Sequence, residues 1–151
     1  MFVGVTSRQA AEALGIQIRQ TVTMPKRMLR LGRYRVLARS LDDRVGCTAL
    51  LLALRRIEAQ ALQRRLTFAW VVEEEVGLGG SRALAATLPD VTRVYPVDTF
   101  VSSDAPLESR RFAFAPLGQG AVIRAMDSGN IVPRRVIDEL RALAQSNGIP
   151  L

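Results

Sequence analysis

Apolar positions change their rhythm several times along the chain, and each change predicts an element. "SRQAAEAL", residues 7–14, reads as a short helix, with Ser7 placed as N-cap and Gly15 as stop. "IQIRQTVTM", residues 16–24, alternates apolar and polar side chains, as a half-buried strand does. Pro25 to Gly32 reads as a basic loop. "YRVLARSL" is a second extended segment, with Tyr34, Val36 and Ala38 on one face.

From Asp43 to about Arg64 the period turns helical, and Leu50, Leu54, Ile57 and Ala61 fall on one stripe. "TFAWVV", residues 67–72, is a continuous apolar run of the length of an inner strand covered on both faces. Gly77 to Gly80 then turn the chain into a helix over "SRALAATL". "VTRVYPV", residues 91–97, predicts a further strand, placed at an edge or terminus by Pro96. "SSDAPLESRR" is loop and "AVIRAMD" is strand. "VPRRVIDELRALAQSNG" is helix, with Pro133 near its first position and Gly148 as cap. The alternation after residue 35 predicts an α/β layered fold with a largely parallel or mixed sheet. The first 35 residues have a smaller rhythm of their own.

Composition narrows the class. The chain has 151 residues, 48% of them hydrophobic, as in globular rather than disordered proteins. The longest apolar run, Thr48 to Leu54, is cut by Arg55 and Arg56, so no membrane partner is expected. "MFVGVTSRQ" has no basic n-region and no long apolar h-region. The single cysteine, Cys47, rules out an internal disulfide framework. These features suit the cytoplasm.

The net charge of +7 invites a nucleic-acid reading, since 21 Lys+Arg face 14 Asp+Glu. Only Lys26 is a lysine, however. The densest basic set, Lys26, Arg27, Arg30, Arg33, Arg35 and Arg39, has one aromatic, Tyr34, among it. A solvated basic face explains this better than a nucleic-acid site, and no nucleic-acid partner is expected. The chain has no histidine. No Ser-His-Asp or Cys-His arrangement can therefore be built from it, and the imidazole that most catalytic zinc sites use is missing.

The carboxylates carry the chemistry. Asp42 and Asp43 follow the segment ending near Leu41, Glu73 to Glu75 follow the one ending at Val72, and Asp98 follows the one ending at Val97. In open α/β sheets ligands bind at the carboxyl ends of strands. Acids gathered at one such edge cannot all ionise without a counter-charge, and one or two divalent cations supply it. Each piece also has a plainer reading. "LDDR" before a helix suits an N-cap and helix dipole, and "EEE" suits a solvated strand end. All-carboxylate sites also hold magnesium or manganese in phosphohydrolases, but no Walker-type phosphate cradle accompanies these acids.

At these residues the sequence resembles the glutamyl/deblocking aminopeptidase family, dinuclear metallo-aminopeptidases of the tetrahedral type. "SLDDRVGCTALLLAL", "VVEEEVGLGGSRA", an aspartate after a strand, "LGQGAVIRAMD" and "ALAQSNGIP" carry the resemblance in order along nearly the whole chain. It implies a partial three-layer α/β/α sandwich of the zinc-peptidase type over residues 36–151. Residues 1–35 would be the end of an inserted β-barrel dimerisation domain. Position by position, it implies that Asp42 bridges two metals across a cis bond to Asp43. Glu75 and Asp98 each become a ligand of one metal, and Glu74 the general base; Glu73 receives no role. The implied cofactors are two divalent ions, zinc or cobalt, the substrates peptides, and the intact family member a homo-oligomer. The family's two metal-binding histidines have no counterpart here. The expectation is an internal segment that binds ions weakly or not at all and is inactive alone. The alternative is a non-catalytic remnant or an assembly partner completed in trans.

Overall fold

A computed structural model describes residues 3–23, 27–104 and 114–151. Parts of the expected basic loop and of the loop after Val101 lie outside these residues. The chain divides into two units, Met1–Ser40 and Leu41–Leu151.

In the first unit, helix α1 spans Arg8–Ala13 as its punctuation predicts. The Ser7 hydroxyl accepts the Ala10 N–H at 3.2 Å. Gly15 stops the helix in the left-handed region at φ 78°, where a side chain would be strained. Residues 16–23, expected as a strand, form no ladder and are exposed wherever Ile18 and Val22 project. Alternation alone gives a strand nothing to pair with. The strands that do form are β1 (Leu29–Leu31) and β2 (Arg35–Leu37), antiparallel, with Leu29 opposite Leu37 and Leu31 opposite Arg35. Thus the expected basic loop contains a strand, and the segment expected from Tyr34 to Leu41 pairs over only three residues. Gly32, at φ 62°, opens the three-residue turn between them.

In the second unit, helix α2 spans Leu41–Arg56 and ends eight residues before the expected Arg64. Arg55 and Arg56 occupy its last turn, where cations suit the helix dipole. Beyond them the predicted stripe finds little to pack on, and an unpacked apolar stripe does not sustain a helix in water. A single 3-10 turn, Ala59–Ala61, follows. Helix α3 spans Gly79–Thr87.

Helix α4 spans Arg134–Ser146 with Pro133 as N-cap. Val136, Ile137, Leu140 and Ala144 form its covered stripe, and Ala144 is the one buried apolar side chain among the described residues. Its end is closed by the Gly148 N–H on Gln145 and the Ile149 N–H on Ala144, a glycine-terminated cap.

Segments 67–72 and 91–97 carry no strand pairing, and the expected strand at 121–127 contributes only a bridge between Met126 and Ile131. Both unpaired segments are nevertheless tied to helices. The Trp70 indole N–H donates to the Cys47 carbonyl of α2 at 3.3 Å, and Arg93 bonds Glu139 of α4 at 2.8 Å. No helix among the described residues is long and apolar enough to cross a membrane.

Candidate metal centre

The site starts at the entrance of α2. Asp42 and Asp43 keep non-helical backbones there, and the peptide bond joining them is cis, as the resemblance implied. The helix proper begins after Asp43, whose Oδ1 accepts the Gly46 N–H at 2.8 Å. That satisfies one of the amides left orphaned at a helix start. Gly46 is buried against this carboxylate, and a Cβ there would collide with it. The plain capping reading of "LDDR" therefore holds for Asp43 and leaves Asp42 without a cap to make.

The second element is the turn that carries the three glutamates. Glu73 has φ 60° and Leu78 φ 61°. The amides of Gly77 and Leu78 donate to the Glu74 carbonyl at 3.3 and 3.1 Å. Those of Gly79 and Gly80 donate to Glu73 and Val72 at 3.1 and 2.9 Å. The chain thus folds back on itself just before α3. Gly80 must lack a side chain, since a Cβ would meet the Val72 carbonyl oxygen and lie 2.7 Å from the Val72 nitrogen. At Gly79 a Cβ would collide with the Glu73 carboxylate, which lies over the start of α3. Glu73 therefore faces away along the turn, a placement its position in the run does not disclose.

The third element brings Asp98. Arg93 Nη1 donates to the Tyr95 hydroxyl at 3.0 Å as well as to Glu139, fixing the segment that leads to it. Asp98 Oδ1 accepts the Thr99 N–H at 2.7 Å.

Asp42, Asp43 and Asp98 converge, each offering a carboxylate oxygen within 4.8 Å of the others. The expected trio was Asp42, Glu75 and Asp98. The structure brings two of these together, but the third close member is Asp43 rather than Glu75. Its signal in the sequence was masked by the N-cap position that it also fills. Glu74 stands within electrostatic reach of all three. Partial desolvation raises the Glu74 pKa, and the charges of Glu75, Asp98, Asp42 and Asp43 raise it further. The two acidic runs and Asp98 therefore form one field of like charge.

These residues fit a divalent cation. Three carboxylate oxygens are hard donors, and calcium, magnesium and manganese favour such sets. No arginine or lysine among the described residues is ion-paired to any of the three. Repulsion at this separation is relieved by a cation or by protonation, and Asp43 can offer its second oxygen while the first holds the helix.

Comparison with known proteins gives the chain a family. Two proteins of Escherichia coli strain K12, FrvX and SgcX, both aminopeptidases by name, are each 28% identical to the chain over 99% of its length. An Acetivibrio thermocellus protein, also an aminopeptidase by name, is 31% identical over 76% of it. The chain spans 41% of the length of FrvX and of SgcX, and 33% of the third relative. The M42 glutamyl aminopeptidase model matches residues 2–151, which takes in every acidic residue described above. With the cis Asp42–Asp43 pair, the glutamate turn and Asp98 all inside that match, the chain belongs to the M42 glutamyl aminopeptidase family, a family of metal-dependent peptide hydrolases.

Proposed function

We propose that this chain supplies the carboxylate half of a dinuclear metallo-aminopeptidase centre that removes N-terminal residues from peptides. The observation that carries the reading is the convergence of Asp42, Asp43 and Asp98 beside Glu74. Asp42 would serve both ions, Asp98 one of them and Glu75 the other. Zinc or cobalt is the expected pair; segment 67–72 is expected as an inner strand, and segment 91–97 as an edge or terminal strand, of a three-layer α/β/α sandwich. Bound divalent ions supply Lewis acidity that polarises a peptide carbonyl and acidifies water.

The remaining steps belong to the chain's own groups. Glu74 is the general base. Its carboxylate oxygen takes a proton from the attacking water and delivers it to the departing amine nitrogen. A pKa lifted by desolvation, and further by neighbouring acids, brings such a base closer to working pH. The tight turn over Val72–Gly80 fixes where that oxygen stands, and positioning of this kind contributes much of an enzyme's rate.

The chain spans about two-fifths of FrvX and SgcX and has no histidine; a second reading is that its carboxylates work together with groups outside these 151 residues. One experiment addresses both. The purified chain is assayed for peptide turnover with added cobalt or zinc, alone and mixed with the remaining length of a relative. Turnover is expected only in the mixture, and is expected to vanish with Glu74→Gln while ion binding survives. Robust turnover by the chain alone, lost on Glu74→Gln, would show a self-sufficient enzyme. Turnover in the mixture that survives Glu74→Gln would remove Glu74 from the base role.

A further inference from the structure

Of the three glutamates in the run, Glu73 alone has a positive φ, 60°. The left-handed region suits glycine and tolerates asparagine and aspartate; a glutamate held there is uncommon and costs free energy. Gly77, Gly79 and Gly80 lie in the same turn, yet its first left-handed position falls to a glutamate. Residues strained in this way cluster beside the working groups of active sites.

The far end of the turn closes back on this residue. Helix α3 has no side-chain cap. Its first two amides, Gly79 and Gly80, donate instead to the carbonyls of Glu73 and Val72 at 3.1 and 2.9 Å. Turning φ of Glu73 back to the ordinary region would swing Val72 away from Gly80 and break the second of these bonds. The Glu73 carboxylate lies against Gly79, in space that any Cβ there would fill. Glu74, the next residue, stands in the field of Asp98, Asp42 and Asp43. A change of φ at one residue rotates everything after it, so Glu73 sets the direction in which Glu74 leaves the turn.

We infer that Glu73 is a positioning residue: its left-handed backbone, locked by the Gly79 and Gly80 amides, aims the Glu74 carboxylate at the aspartates while its own carboxylate is parked over Gly79. This rests on the reading of Glu74 as general base and of the aspartates as ion ligands. What position 73 must supply is tolerance of the left-handed region, not a negative charge. Glu73 acts through Glu74 and makes no contact of its own with ion or substrate.

The test labels the side-chain carboxyl carbons of aspartate and glutamate in the full chain and adds a trace of manganese, whose unpaired electrons broaden nearby carbon resonances. Each resonance is assigned by its loss when that residue is changed to its amide. Asp42, Asp43 and Asp98 should broaden first, Glu74 with them, and Glu73 hardly at all. Glu73→Asn and Glu73→Val both remove the carboxylate, but asparagine tolerates the left-handed region and β-branched valine resists it. Glu74 should keep its broadening in Glu73→Asn and lose it in Glu73→Val, with the aspartates broadened alike in both. In the mixture with the remaining length of a relative, Glu73→Val should lower kcat about 100-fold at little change in KM, as misplacement by about 1 Å does, and Glu73→Asn by far less. Should Glu73→Val fail to fold by circular dichroism, the parent chain still decides. A positive φ brings the Glu73 amide and α protons close and gives a strong Overhauser effect between them; a weak one overturns the inference. Equal broadening of Glu73 and Glu74, or like behaviour of folded Glu73→Asn and Glu73→Val, overturns it too and leaves the metal reading standing. If none of the three aspartates broadens, the metal reading falls and this inference falls with it.

Discussion

The unit Met1–Ser40 and the unit Leu41–Leu151 use charge in opposite ways. In the first, eight cations are set among exposed leucines with one carboxylate for company. In the second the signs balance in number, yet Asp42, Asp43 and Asp98 are drawn together while the arginines pair elsewhere, Arg93 with Glu139 and Arg134 with Asp138. Net charge would rank the first unit as the functional one. Local arrangement ranks the second, because an electrostatically neutral body can still hold a concentrated negative site. Balance over a domain and imbalance within a few ångströms are independent quantities.

The largest test of that contrast removes the concentration itself. Asp42→Asn should lower divalent-cation affinity by about 100-fold, the upper end of what loss of groups supporting a metal site costs, measured by calorimetric titration with manganese or zinc. If local arrangement governs, Arg30→Glu, which changes the net charge of the first unit but not the cluster, should leave that affinity within about twofold, because salt weakens the diffuse field of net charge. Equal effects from the two variants would mean that the overall field, not the cluster, attracts the ion.

Next in size is Gly80→Ala. The collision with the Val72 backbone should destabilise the fold by about 1–3 kcal/mol, read from denaturant unfolding. Asp43→Ala should cost about 1 kcal/mol through the lost helix cap and should also weaken ion binding. Asp43→Asn should restore much of the cap but not the ion, separating the two roles.

Acidity sharpens the same contrast. The folded chain raises the Glu74 pKa above its ordinary value, so the folded state takes up this proton more readily than the unfolded one. Stability should therefore rise as pH falls from the raised value towards the ordinary carboxylate value, and ion affinity should fall over the same window. A thermal-melting series against pH, with and without manganese, reads both. In Glu74→Gln this part of the pH dependence should flatten. The smallest effect belongs to Arg93→Leu: a half-exposed ion pair contributes about 0.2–1 kcal/mol.

Legibility in the sequence followed how local each feature is. Ser7 and Gly15 bracket α1, and Pro133 with Gly148 bracket α4, because caps and stops act over one turn of chain. The candidate acids were legible as runs after apolar segments. What was not legible depends on partners. A strand exists only with a neighbour, and "TFAWVV" looks the same paired or unpaired. Helix α2 stopped at Arg56 because its continuing stripe needed a surface to pack on. The plainer reading of "LDDR" is a cap, and Asp43 makes one; only three-dimensional closeness to Asp98 shows its second use. Whether Glu75 or Asp43 completes a metal's coordination was equally beyond a one-dimensional reading, since adjacent residues in a run are chemically alike.

The indole of Trp70 on the Cys47 carbonyl has a practical consequence. It is the chain's only tryptophan, and the carbonyl that it bonds lies one turn of helix past the paired aspartates. Its emission is therefore a built-in optical gauge of one event, the seating of segment 67–72 on α2. If that seat loosens, the indole N–H exchanges a peptide carbonyl for water, and the spectrum shifts to the red. Unlabelled chain can thus be followed in a cuvette, with that seat reporting through a single colour.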